Sequence, residues 1–101
     1  MENRLKLQAL LEEILGNGRV YFQPPPSIKL SYPCIVYSLD RINTMKANDS
    51  KYNLRKGYQV TIMDKDPDSE LPDKMINQRL CRMINSYPAD GVNHWVFLIY
   101  I

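Results

Sequence analysis

Tyr58-Gln59-Val60-Thr61-Ile62-Met63 sets Tyr58, Val60 and Ile62 against Gln59, Thr61 and Met63. That two-residue period is the pattern of a strand with one face buried. A second strand lies upstream in Cys34-Ile35-Val36-Tyr37-Ser38-Leu39, introduced by Tyr32-Pro33. Between the two, Asp40 to Gly57 is polar and basic, with Ala47-Asn48-Asp49-Ser50 as a turn-like centre. The pair therefore predicts a long antiparallel hairpin, with strands over about 34–43 and 52–63 and a tip projecting beyond the core.

Further upstream, Arg19 to Gln23 reads as a short strand with Val20 and Phe22 on one side and Tyr21 on the other. Pro24-Pro25-Pro26 ends it, because three prolines fix φ and remove three amide donors. The first segment, 3–15, is helical: Leu7, Leu10, Leu11, Ile14 and Leu15 form one apolar stripe at a 3.6-residue period. Gly16 and Gly18, around Asn17, tolerate positive φ where that helix should stop.

Downstream, the acidic run Asp64 to Pro72 leads into a second predicted helix over about 70–87. Its stripe is Ile76, Leu80, Met83, Ile84 and Tyr87, with Lys74, Arg79 and Arg82 on other faces and Pro88 and Gly91 as terminators. Asp68 or Ser69 is the expected cap, Glu70 and Asp73 suit the positive end of the helix dipole, and Pro72 is tolerated in a first turn. The last segment, 94–101, is apolar in both alternating sets, as in a strand covered on both faces or interior to its sheet. The resulting order, α-β-β-β-α-β, is an α+β fold in a single domain spanning 1–101. Its natural solution is a mainly antiparallel sheet with two helices packed on one face.

A chain of 101 residues, 45% hydrophobic and 24% charged, can bury one core without metals or disulfides. Its net charge of +2 is too small by itself to imply nucleic acid. Cys34 and Cys81 match no metal spacing and read as two buried, reduced thiols. The opening Met1-Glu2-Asn3-Arg4 runs into the helical pattern and not into an apolar leader. No stretch approaches the roughly 20 apolar residues of a membrane span, so folding in a cytoplasm is expected.

Asp64-Lys65-Asp66-Pro67-Asp68-Ser69 resembles the start of a calcium loop, but Ser69 stands where glycine is needed and Met75 where glutamate is needed. The same acids cluster in one loop instead of facing a lysine across strands, which disfavours a magnesium nuclease. His94, the lone histidine, has no nucleophile placed near it by any motif. Gly16-Asn17-Gly18 follows a helix instead of opening one, unlike a phosphate-binding loop. No catalytic, cofactor or metal residue is expected, and the chain does not read as an enzyme.

Charge points elsewhere. From Arg41 to Tyr58, Arg41, Lys46, Lys51, Arg55 and Lys56 stand against Asp49, a local charge of +4, with Tyr52 among them. Asp64, Asp66, Asp68, Glu70 and Asp73 supply an opposite patch. A basic arm and an acidic loop on one small molecule suit head-to-tail self-association. A small nucleic-acid-binding module using the arm is the alternative.

The run Val20-Tyr21-Phe22-Gln23-Pro24-Pro25, then Tyr32-Pro33-Cys34-Ile35-Val36-Tyr37, resembles the small tail-terminator or tail-completion proteins of long-tailed bacteriophages. Tyr58 to Ser69 and Asn93-His94-Trp95-Val96-Phe97 extend the resemblance over nearly the whole chain. It implies a virion structural subunit of the tail and neck, assembled in the host cytoplasm. Such a subunit forms a ring, commonly a homo-hexamer, that caps the tail tube and joins it to the head–tail connector. DNA passes through the lumen unread, and no membrane is involved. Another head–tail neck protein shares this architecture and remains an alternative. In either case the arm (Arg41, Lys46, Lys51, Tyr52, Arg55, Lys56) and the acidic loop are the expected interfaces.

Overall fold

Leu7, Leu11, Ile14 and Leu15 are all buried along α1 (Glu2–Leu15), and Leu10 is half-buried, so the apolar stripe becomes the inner face of a helix. Gly16 ends it at φ 83° and donates its N–H to Glu12 O at 2.8 Å, a left-handed closure that a side chain would oppose. The computed structural model describes residues 2–47 and 51–100, with side chains over 4–40 and 56–100.

Six further elements follow: β1 (Val20–Phe22), β2 (Cys34–Ala47), β3 (Lys51–Asp64), α2 (Leu71–Ile76), β4 (Cys81–Ala89) and β5 (Val92–Tyr100). The strands form one mixed sheet in the order β1-β2-β3-β5-β4, in which only the β1–β2 pair is parallel. The fold is α+β and mostly antiparallel. Its element order is the expected α-β-β-β-α-β with one strand, β4, added before the last.

The alternation around Tyr58 decides where the core lies. Tyr58, Val60 and Ile62 of β3 share a buried cluster with Ile35 and Tyr37 of β2, Phe97 and Ile99 of β5, the four α1 residues, Val20, and Met75 of α2. Fully burying each such side chain contributes on the order of 1.5–3 kcal/mol. Phe22, Tyr37 and Tyr58 pack as rings 5.0, 6.0 and 6.4 Å apart, tilted or edge-on, the arrangements that ring quadrupoles favour. On the alternate positions a second cluster joins Cys34, Met63 and Val92 to Tyr21, Leu30, Tyr32 and Val36. The proline-bearing connector thus folds back onto the sheet through Leu30 and Tyr32.

One expected element is corrected. The helix predicted over 70–87 stops at Ile76, and 81–89 is a strand. Asp90 and Gly91 adopt φ 54° and 75°, the two consecutive positive values of a tight turn whose twist matches paired strands. That turn pairs β4 with β5 from Ala89↔Val92 back to Cys81↔Ile99. Pro88 and Gly91 therefore sit at a hairpin and not past a helix end. The cap is also corrected. The N-cap position is Glu70 and lacks a side-chain hydrogen bond, whereas Ser69 Oγ accepts from Leu71 N at 3.3 Å.

Candidate functional site: two charged ends and an apolar edge

Strand β3 carries the basic segment at its start and the acidic loop at its end. With a rise of about 3.4 Å per residue, Lys51 and Asp64 stand roughly 45 Å apart, comparable to the molecule's longest extent of 51 Å. The register of β3 with β5 runs from Asp64↔Asn93 to Gly57↔Tyr100. From Ile42↔Lys56 to Ala47↔Lys51 the described pairing is between β2 and β3 alone. Of the arm residues singled out from the sequence, Lys56 is half-buried. The side chains of Arg41, Lys46, Lys51, Tyr52 and Arg55 lie outside the described residues, as does the expected turn at 48–50.

At the other end, two of the acids build their own loop. Asp64 Oδ1 accepts from Asp66 N at 3.1 Å, and Asp66 Oδ1 accepts from Asp68 N at 2.9 Å, so each side chain closes a turn on the backbone two residues on. Asn93 Nδ2 reaches Asp64 O and Lys65 O at 3.4 and 3.5 Å, tying the loop to β5. Asp68, Glu70 and Asp73 are exposed. Among the described residues other than Asp40, no lysine or arginine nitrogen lies within 4.0 Å of a carboxylate oxygen.

A polar network holds the end of α1 to the sheet. Tyr37 OH donates to Gln8 Oε1 at 2.5 Å and accepts from Arg4 Nη1 at 3.2 Å, and Gln8 Nε2 donates to Val20 O at 3.2 Å. The Arg4 guanidinium lies 4.8 Å over the Phe22 ring. Burial raises the Tyr37 hydroxyl above its ordinary pKa, against the opposing pull of Arg4.

Both cysteines are free; Cys34 is buried and Cys81 is half-buried. Burial pushes each thiol up to about 11, with Arg19 opposing and Asp64 reinforcing the rise at Cys34. Thiols held protonated in this way are poor nucleophiles. His94 is half-buried and stacks on Tyr87 with centroids 4.8 Å apart and planes 9° from parallel. Its Nδ1 lies 3.1 Å from Val92 O.

The feature that sequence reasoning missed is the edge of the sheet. Because β4 is a strand, Leu80, Met83, Ile84 and Tyr87 are 41–47% exposed, not buried as a helix stripe. Asp90-Gly91 between two runs rich in apolar residues was the signal that marks this hairpin. An open depression of about 360 Å³ lies beside that edge, lined by Leu80, Cys81, Arg82, Leu98 and Tyr100. Another of about 450 Å³ runs between α1 and α2 past Glu13 and Lys74. No helix among the described residues is long and apolar enough to cross a membrane.

The chain matches no protein-family model, and no curated protein sequence matches it.

Proposed function

We propose that this chain is a virion structural protein, a tail-terminator subunit that closes into a ring on the end of a phage tail tube and joins it to the head connector. In this reading both helices cover one face of the sheet and the β2–β3 hairpin projects from the body as an arm. The arm of one subunit meets the acidic loop of the next. A contact between two different surfaces, repeated by rotation, makes a closed ring. The mechanism is geometric: the ring halts tube growth and offers its other face to the neck, and DNA passes through the lumen.

The observation that carries the proposal is the placement of the basic segment at one end of β3 and the acidic loop at the other, roughly 45 Å apart. Complementary ends that cannot reach each other within one subunit favour pairing between subunits. The test is absolute mass by light scattering across a concentration series at two salt levels. Assemblies larger than two chains are expected at low ionic strength. They should shrink as the Debye length contracts toward about 8 Å at physiological salt. Binding of DNA by the isolated chain, lost with Lys51, Arg55 and Lys56 changed to alanine and unaccompanied by assembly, would favour the nucleic-acid alternative.

A further inference from the structure

No residue of β4 belongs to the buried core clusters, and Cys81 alone packs against one of them. Every residue from Arg82 to Pro88 is exposed. Taking β4 out of the sheet would therefore leave the core shared by α1, β1, β2, β3, β5 and α2 complete. What holds β4 is its pairing with β5, including the 3.1 Å bond from Tyr100 N to Leu80 O, and the stack of Tyr87 on His94.

The hinge at its start works against that pairing. Leu80, the residue immediately before β4, has φ 57°, a left-handed backbone that a β-carbon opposes and glycine accepts. At the far end the turn holds Asp90 at φ 54°. The strand is thus tethered at both ends by left-handed turns, and release would let Leu80 relax.

What β4 covers is unlike β4 itself. From Val92 to Tyr100, β5 has no lysine, arginine, aspartate, glutamate, proline or glycine. Val96 and Leu98 on one face, and Phe97 and Ile99 on the other, are all buried. Uncharged segments of this β-forming composition pair with copies of themselves once their backbone groups are bared. In contrast, β4 carries Arg82, Pro88 and a register shift between Met83 and Asn85, three devices that block the addition of a further strand. The sheet ends on a strand that resists extension, laid over one that lacks every such device.

We infer that β4 is a protective strap: it releases from β5 as a unit while the core stays folded, and the bared edge of β5 pairs with the bared β5 of a second copy. Aggregation of the protein proceeds through this local opening and not through global unfolding. The inference does not rest on the ring reading, because neither the arm nor the acidic loop takes part in it.

Native-state hydrogen exchange, read beside the aggregation rate from light scattering, tests it. The Tyr100 amide is bonded to Leu80 O and reports release. The amides of Phe97 and Ile99, which strand alternation turns toward β3, report global unfolding. Tyr100 should be at least about tenfold less protected than Phe97. Leu80→Gly and Leu80→Ala both truncate the same exposed side chain, but only glycine escapes the left-handed penalty. The glycine variant should release, and aggregate, about tenfold less readily than the alanine variant. Ile14→Val loosens the core without touching β4. It should lower the protection of Phe97 by about fivefold and leave that of Tyr100, and the aggregation rate, unchanged. Equal protection of Tyr100 and Phe97 overturns the inference. So does release without aggregation, or aggregation that follows Ile14→Val in place of the Leu80 pair.

Discussion

Strands β4 and β5 are the two sides of one hairpin and have nine residues each, yet their apolar residues meet opposite environments. In β5, Val96, Phe97, Leu98 and Ile99 are buried; in β4, every residue from Arg82 to Pro88 is exposed. The difference is position and not composition. β5 has β3 on one side and β4 on the other, and Phe97 and Ile99 reach the helix-lined core. β4 has a neighbour on one side only. Its Met83 and Ile84 are as apolar as anything in β5 and remain 41% and 46% exposed. Apolar side chains on an interior strand hold a fold together, and the same side chains on an edge are free for another molecule.

The sharpest way to break that comparison is a matched pair of truncations, read by urea unfolding. Phe97→Ala removes a fully buried ring and should cost about 3–5 kcal/mol. Met83→Ala, across the pair from it, should cost the monomer only about 0.5 kcal/mol or less. Equal losses would mean that the edge is covered in the free chain. Between these extremes stands the turn that creates the contrast. Gly91 has φ 75° and open space where a Cβ would lie. Gly91→Ala should therefore cost about 1–2 kcal/mol for the left-handed backbone alone.

Most of the architecture was legible because its signals are periodic. The α1 stripe, the alternation of Tyr58 to Met63 and the doubly apolar 94–101 segment each specify an element and its buried side. The pairing of Val20 with Phe22 against Tyr21 was equally plain, since the first two face one cluster and the third the other. The β4 segment was misread for a physical reason. Ile76, Leu80, Met83, Ile84 and Tyr87 fall at helical spacing, and an edge strand with a bulge need not alternate, because neither of its faces is fully buried. What overrides the period is non-local: β5 requires a hydrogen-bonding partner on its outer side, and Asp90-Gly91 delivers one at the shortest range. Of the candidate interfaces, the acidic loop was legible as charge. Its sequence did not reveal that Asp64 and Asp66 spend an oxygen each on the loop's own turns, whereas Asp68, Glu70 and Asp73 are exposed.

That distinction guides the most direct test of assembly through opposite ends. One variant reverses the arm with Lys46→Glu, Lys51→Glu, Arg55→Glu and Lys56→Glu, which takes its local charge from +4 to −4. A second reverses the loop with Asp68→Lys, Glu70→Lys and Asp73→Lys, sparing the two carboxylates that hold its shape. Light scattering at low salt should find each variant alone unable to assemble beyond two chains. An equimolar mixture should recover larger assemblies, because each reversed end then meets a complementary one on its neighbour. A mixture that stays as small as its components, or single variants that assemble as the wild type does, would contradict the account.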